Sequence, residues 1–364
     1  MTTNNGAGGG SVGSWRQRVV RRVWHVGIAV LVAAALLCAG AGVTGLGSHA
    51  VVAVRAPSPP DIDGQRDGAW DAATPATMTQ RGGISRVPWV AMRALYDDER
   101  VYFLLEWPDP AESLERAPWE LTADGWRKIP AQVLYEDKAA IYWPISRSPA
   151  FEARGCTAMC HFGGGASGED RDKGADIRLL SVGAHFMEQE GEVADEWHWK
   201  AARSNPFHQL DDGYVNSDRP TAEHAKGGRY ADEPKETGGG YTDNVAEGGS
   251  GPAFDFAADW QGQRLQLFAE DAVPLLAERL LELGHRVPSL LLAPFEGKRG
   301  DVEAKGAWGD GKWTLEIARQ RSTGDPHDVD FSDARSTYPF AVAIFDGQEY
   351  EHSYNLGVYR LRFE

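Results

Sequence analysis

Short runs of alternating hydrophobic and polar residues recur along the chain and predict a mainly β protein. Residues 89–96 and 100–107 are rich in β-forming side chains and are separated only by Asp97, Asp98 and Glu99, which is typical of a β-hairpin. Further strands are predicted over 338–346 and 354–363, and one that begins at residue 137 ends at Pro144. Residues 304–308 and 313–321 predict a second hairpin around the turn Gly-Asp-Gly-Lys. The pattern therefore indicates a β-sandwich or barrel.

One segment departs from this alternation of hydrophobic and polar residues. Residues 268–284 place apolar side chains at helical spacing, with Pro274 in the first turn and Gly284 as a stop, so they predict one amphipathic helix. Residues 203–262 are polar and glycine-rich and predict long surface loops.

The N-terminal region predicts export. Residues 23–47 hold no Asp, Glu, Lys or Arg, and about 20 apolar residues suffice to cross a bilayer. Arginines lie only on the N-terminal side, which favours a single-pass anchor in the cytoplasmic membrane with the following domain on the periplasmic side. Small residues at 48–50 leave open a cleaved signal peptide and a secreted product.

Four segments follow from these signals. We expect a basic disordered leader over 1–22, the transmembrane or signal segment over 23–47, a linker over 48–60 that ends in Pro-Ser-Pro-Pro, and one domain over 61–364. The net charge is −16, and no acidic residue precedes Asp61. Such a surface disfavours nucleic acid and suits a basic protein partner, although it serves solubility equally well.

The chemistry is concentrated in Cys156-Thr157-Ala158-Met159-Cys160-His161. Two cysteines followed at once by histidine are typical of covalent haem attachment, in which two thiols bind the vinyl groups and the histidine binds the iron. The spacing here is one residue longer than the common form. It predicts one haem c held by Cys156 and Cys160, with His161 as an axial iron ligand.

Other interpretations of the two cysteines stay open. An exported protein permits a disulfide between them. Zinc would need a further Cys/His pair at suitable spacing, which the sequence lacks. The pair can also be incidental.

The residues alone hardly favour any one candidate for the second iron ligand. The candidates are His185, His198, His208, His224, His285, His327, His352, Met92, Met159 and Met187. His198 lies between Trp197 and Trp199, where an ordinary packed histidine is the default.

Residues 61–363 resemble the cytochrome c-552 and DMSO reductase-like haem-binding domain family, which includes ethylbenzene dehydrogenase γ subunits. The resemblance rests on six segments in order: IDGQRDGAW, ALYDDERVYFLLEWPD, EDKAAIYWPI, DEWHWKAAR, DGKWTLEIARQ and FAVAIFDGQEYEHS. It implies a β-sandwich related to family-9 carbohydrate-binding modules.

The resemblance also bears on the iron ligands. In the γ subunits the haem is not covalent, and its ligands are a Met before the WHWK-like motif and a Lys in the turn after the AVAIFDG-like strand. In this chain Cys160-His161 stands in the first stretch, and the second turn offers Glu351-His352-Ser353 without a lysine. The resemblance therefore implies His352 as the second axial ligand.

These inferences lead to an electron-transfer protein rather than an enzyme. The expected partners are redox proteins, such as an exported molybdoenzyme or a quinol-oxidising membrane complex. One alternative is a haem-free carbohydrate-binding module that uses Trp89, Trp107 or Trp126. Another is a haem enzyme or sensor with an open iron site. The acidic tract 324–333 is compatible with calcium binding or with a solvated loop.

Overall fold

Strands make up most of the regular structure, as the alternating pattern predicts. The computed structural model describes residues 50–83, 87–159, 185–257, 265–276 and 281–364. Within these ranges the first ten strands are β1 Ala50–Arg55, β2 Ala76–Thr79, β3 Trp89–Tyr96, β4 Arg100–Pro108, β5 Trp119–Thr122, β6 Gly125–Lys128, β7 Lys138–Pro144, β8 Ala194–Lys200, β9 Asp211–Val215 and β10 Arg229–Ala231.

Short strands and then long strands follow. The short ones are β11 Thr242–Asp243, β12 Phe254–Asp255, β13 Leu267–Phe268, β14 Val273–Pro274, β15 Arg286–Val287 and β16 Leu290–Leu292. The C-terminal ones are β17 Glu303–Gly309, β18 Lys312–Gln320, β19 Thr337–Phe345, β20 Ser353–Tyr354 and β21 Tyr359–Phe363. The described helices are short: α1 Pro149–Arg154, α2 Lys235–Gly238, and 3-10 turns at Gly68–Ala72, Gly155–Ala158, Asn205–Phe207 and Gly297–Gly300.

Thirteen of the described strands form one sheet. Its order is β10-β9-β8-β7-β19-β21-β1-β3-β4-β18-β17, with β2 paired to β3 and β20 paired to β19. Strand β1 runs parallel to both of its neighbours, β21 and β3. The short strands form three small sheets beside it: β11-β16-β13, β12-β14 and β15-β5-β6.

The large sheet curls at β19, which belongs to both of its halves. Residues 337–340 of this strand pair with β21, and residues 341–345 pair with β7. Side chains from the two halves meet in one core. The ring centroids of Phe103 and Trp197 are 5.7 Å apart, and those of Trp107 and Trp199 are 6.0 Å apart. Because aromatic pairs at such distances fill the space between facing strands, the curled sheet packs as a sandwich.

Strands β7 and β8 are buried on both faces. Six of the seven residues in β7 and all seven in β8 are buried. Successive side chains of a strand point to opposite faces. Ala139, Ile141 and Trp143 point into the sandwich core, so the alternate residues of β7 lie on the opposite face, which the candidate site covers.

Two predicted hairpins are confirmed. Strands β3 and β4 pair antiparallel in the predicted place. Strands β17 and β18 pair around Asp310-Gly311, whose φ angles are +52° and +73°. Positive φ at both central residues matches the twist of the flanking strands, which is why Asp-Gly is favoured in this two-residue turn.

The helix predicted over 268–284 is wrong for the described residues. Residue 268 ends β13, and Val273–Pro274 form β14, which pairs with Phe254–Asp255. Pro274 has no N–H to donate, and the next residue, Leu275, instead donates its N–H to the carbonyl of Ala253. Leu276 and Leu283 are 56% and 70% exposed. The apolar period therefore does not correspond to a buried helical face.

The linker predicted over 48–60 is wrong for residues 50–55. These residues form β1 between β21 and β3, with Val51 and Ala53 fully buried. The β-forming sequence Val-Val-Ala-Val explains the strand, and the prediction gave too much weight to the prolines that follow. The predicted leader and membrane segment lie outside the described residues. Among the described helices, none has the length and apolar character needed to cross a membrane.

Candidate functional site

Cys156 lies in a tight turn that follows α1. The preceding Gly155 has φ +58°, and a Cβ atom there would lie 2.0 Å from the carbonyl oxygen of Gly357. Only glycine permits this close approach of two backbones. The turn at Gly155–Ala158 is thereby held against the C-terminal segment, and the position of Cys156 is set.

The environment of Cys156 is apolar. The thiol-bearing residue is 1% exposed and belongs to a cluster separate from the sandwich core. The buried members of this cluster are Tyr142, Phe151, Cys156, Ala158, Met159, Phe186, Met187, Ala194, Val215, Ala341 and Val358.

His352 meets Cys156 from a distant part of the chain. Its Nε2 atom lies 3.8 Å from the Sγ atom of Cys156, across 196 residues of sequence. Its Nδ1 atom lies 2.7 Å from the carbonyl oxygen of Tyr350. A carbonyl can only accept, so Nδ1 carries the proton and Nε2 presents its lone pair. Metal-binding histidines are commonly oriented in this way.

The other two residues of the predicted attachment motif, Cys160 and His161, lie outside the described residues. The interpretation of the two cysteines as a haem-binding pair, a disulfide or an incidental pair therefore stays a prediction. The structure does place Cys156, the first residue of the motif, beside the predicted second ligand.

The remaining ligand candidates lie in varied places. Met159 and Met187 share the apolar cluster of Cys156, whereas Met92 lies in the sandwich core. Most of the other histidines have a neighbour of their own: His185 lies near Tyr142, His224 stacks on Tyr230, His327 stacks on Tyr214, His285 bonds Asp255, and His208 is exposed.

Small side chains cover the surface of the sheet beside the pair of Cys156 and His352. Ala140 of β7 pairs with Ala343 of β19, and Ala341 follows on the same face toward Tyr142. We call these three residues the alanine platform. Residues this small let a flat group approach a sheet closely, since no long side chain rises from it.

Phe345 lies beside the alanine platform and contacts both His352 and the ammonium group of Lys138. Its ring centroid lies 4.6 Å from that of His352. The Nζ atom of Lys138 lies 4.1 Å above the Phe345 ring and donates to the carbonyl oxygen of Glu349, 2.7 Å away. Among the described residues, no carboxylate lies within ion-pair distance of Lys138, which is 3% exposed. Burial, and then the charge of Arg203, lowers the pKa of Lys138.

His198 also faces the alanine platform rather than the core. Its Nδ1 lies 2.6 Å from Nη2 of Arg229, and a guanidinium can only donate, so the ring proton must be on Nε2. That N–H has no hydrogen-bond partner in the described part of the chain, although His198 is 7% exposed. Burial, and then the charge of Lys200, lowers the pKa of His198 well below its usual range.

These residues fit a haem by their chemistry. Cys156 would supply a thioether link and His352 an imidazole, while the alanine platform and the apolar cluster would lie against a porphyrin. Lys138 and the unsatisfied N–H of His198 would bind propionate carboxylates, since a buried donor without an acceptor is costly.

The place of Lys138 and His198 at the site was not predicted from the sequence. The signal was present in β8, where Glu196, His198 and Lys200 alternate with Trp197 and Trp199. Period-2 alternation of charged and aromatic residues assigns the charged ones to one face. The tryptophan neighbours led to the opposite interpretation, a histidine packed in the core.

The tryptophans proposed for sugar stacking differ in exposure. Trp107 is fully buried and packs on Trp199 and Trp313, so it belongs to the core. Trp89 is 38% exposed. Trp126 is partly exposed and lies near His285.

Fold and site together define a curled β-sheet protein with a buried Cys–His pair on the face of β7 and β19 that points away from its core. The chain belongs to the ethylbenzene dehydrogenase family, whose family model matches residues 67–356. No curated protein sequence matches the chain.

Three solved structures are similar at 8% identity. A family-9 carbohydrate-binding module from Caldicellulosiruptor kristjanssonii, in complex with glucose or with cellotriose, has a TM-score of 0.34 and covers 86% of this chain, with 95% and 93% of its own length covered. A protein from Bacteroides uniformis, described as carbohydrate-binding, has a TM-score of 0.35 and covers 86% of this chain, with 99% of its own length covered. These scores support no argument about ligands.

Proposed function

We propose that this chain is a monohaem c-type cytochrome that transfers electrons on the outer face of the cytoplasmic membrane. The expected partner is another redox protein, such as an exported molybdenum oxidoreductase. The observation that carries the proposal is the 3.8 Å distance between Cys156 Sγ and His352 Nε2. A cysteine predicted to attach haem and a histidine predicted to bind iron are neighbours although they are far apart in sequence.

Each residue has a definite part in this proposal. Cys156 and Cys160 would hold the cofactor covalently, and His161 and His352 would bind its iron. Tyr350 fixes the tautomer of His352 through its carbonyl. A bound haem c would supply a one-electron iron couple.

The protein controls the properties of that couple. Two imidazole ligands would leave no open coordination position on the iron, which would favour electron transfer over chemistry on a substrate. Imidazole in place of a thioether also lowers the reduction potential, since methionine ligation raises it. A positive charge beside the propionates would act in the opposite direction, because it disfavours the oxidised iron, which carries one more positive charge than the reduced iron.

The first test is the intact mass and visible spectrum of the protein made with a cytochrome c maturation system. We expect one haem that survives acid-acetone extraction, and loss of this covalent haem in Cys156→Ser together with Cys160→Ser. A colourless protein would contradict the proposal.

The second test separates His352 from the attachment site. His352→Ala should keep covalent haem but change the spectrum from six-coordinate low-spin to one that responds to carbon monoxide. His208→Asn, at an exposed histidine, is the control and should behave like the wild type. An unchanged spectrum in His352→Ala would assign the second ligand to another residue.

A further inference from the structure

A second group of side chains lies apart from the Cys156 site. Asp212 of β9, Asp232 after β10 and Asp328 in the loop before β19 each offer a carboxylate oxygen, and these oxygens lie within 4.8 Å of one another. We call these three residues the aspartate trio. Two oxygens on opposite sides of one calcium ion would be about 4.6–5.2 Å apart, given Ca–O distances of about 2.3–2.6 Å.

Proximity of carboxylates alone does not make a site, but three of their oxygens, on Asp212 and Asp232, lack donors and point to a ligand. Asp328 accepts a hydrogen bond from the hydroxyl of Thr323. Asp212 is 1% exposed, and its Oδ2 has no hydrogen-bond partner among the described residues. Both carboxylate oxygens of Asp232 also lack a hydrogen-bond partner among the described residues. Buried carboxylate oxygens that accept nothing are costly, and they are aimed at one another here.

The charge around the trio is unbalanced. Asp195 is fully buried beside it, with one oxygen bonded to Arg319 and Val329 and the other, Oδ1, unsatisfied in the described structure. Arg319 is the one buried cation in contact with this group among the described residues, 2.9 Å from Asp195 and 4.0 Å from Asp328. The trio, Asp195 and the nearby Asp301 thus place five carboxylates around one guanidinium.

Burial, and then the charge of Asp195, raises the pKa of Asp232 to about 9 and that of Asp212 well above its usual range. Without a cation, the group would therefore have to hold protons at neutral pH. A divalent cation removes the same repulsion and uses the unsatisfied oxygens as ligands.

We propose that Asp212, Asp232 and Asp328 bind one calcium ion, with Asp195 in its immediate surroundings. Calcium suits the site better than magnesium because it accepts six to eight oxygens, from carboxylates, carbonyls and water, in flexible geometry. The ion would connect strand β9 and the end of the edge strand β10 to the loop between β18 and β19. It is a structural site, independent of the haem proposal.

The test compares the wild type with Asp212→Asn after removal of metal by EDTA. In EDTA the variant should be the more stable protein, because Asn at position 212 avoids the cost of either burying or protonating a carboxylate there. In millimolar calcium the order should reverse, since the wild type binds calcium more tightly and gains more stability from binding. Calorimetric titration should show calcium affinity weakened by about tenfold or more in the variant, because a carboxylate ligand is replaced by a neutral amide.

Asp232→Asn provides a second variant at a less buried position and should behave in the same way. Asp243→Asn, at an exposed aspartate of β11, is the control and should keep the calcium response. A second group, Asp109, Asp137 and Asp346, also holds oxygens within 4.8 Å of one another, so the readout is the difference between wild type and variant. An equal calcium response in wild type and Asp212→Asn, or no response in either, would overturn the proposal.

Discussion

At the scale of single residues, glycine and histidine chemistry determines how the site is built. Gly155 lets the Cys156 turn touch the backbone at Gly357, and the tautomer of His352 is set by one carbonyl. Neither feature adds much burial. Both fix the direction in which a reactive atom points, so the two atoms come to face each other.

A substitution of Gly155 tests this close approach. Gly155→Ala should destabilise the protein by about 3 kcal/mol, because an L residue at positive φ costs about 1–2 kcal/mol and the new Cβ would also overlap a carbonyl oxygen. Thermal or urea unfolding measures the change. Gly284→Ala is the matched control: its φ is +87° with no described atom within 4 Å of the added Cβ, so it should cost only about 1 kcal/mol. Equal effects would show that the contact with Gly357 is unimportant.

Single residues also show which parts of the site can be predicted from the local sequence. The segment Cys156 to His161 predicts its own chemistry because its members are adjacent. His352 could be chosen only through a family resemblance, since nothing in its local sequence distinguishes it from nine other candidates. In the structure its Nε2 lies 3.8 Å from the Sγ of Cys156.

At the scale of elements, the strands were largely predictable and the short connections were not. The hairpins β3–β4 and β17–β18 follow from period-2 patterns joined by turn residues, which are local signals. The segment 268–284 shows the limit of such signals. Its apolar residues have helical spacing, but β12 and β16 offer its backbone strand partners, and tertiary pairing overrides a local period.

The parallel strand β1 is predicted to be essential for the stability of the fold. A chain that starts at residue 48 should fold, whereas one that starts at residue 57 should lose most of its stability. The longer deletion removes buried Val51 and Ala53 and leaves β21 and β3 without the strand between them. Burial of one valine alone contributes roughly 1.5–3 kcal/mol. Circular dichroism melting measures the outcome. Equal melting of the two chains would show that β1 is dispensable.

At the scale of the whole molecule, ionisable groups connect segments that are far apart in sequence. Glu316 of β18 accepts hydrogen bonds from the backbone of Asp63 and Gly64 and from Nε1 of Trp70. It therefore connects the segment 63–70, which follows β1, to strand β18, about 250 residues further along the chain. Burial raises the pKa of Glu316 to about 7, against hydrogen bonds from these donors that lower it.

This gives a prediction about pH. In the unfolded chain Glu316 loses its proton near its ordinary value of about 4.3, so between that value and about pH 7 the folded state binds more protons than the unfolded state. Stability from this group is therefore lost as pH rises from about 5 to 7. Relative to Glu316→Gln, which cannot titrate, the wild type should lose up to about 1.4 kcal/mol for each pH unit in that window. Urea unfolding of both proteins at several pH values measures the difference. A difference that is constant with pH would contradict the raised pKa.

The sequence by itself determined the β class, the two long hairpins and the predicted attachment motif, because each depends on residues that are close neighbours along the chain. Only the tertiary structure decided that Cys156 meets His352, that Lys138 and His198 share a face with the alanine platform, and that the aspartate trio converges. These arrangements depend on which strands pair and on the curl of the sheet at β19. Sheet pairing is a property of the whole chain, and side-chain period reports only the face on which a residue lies.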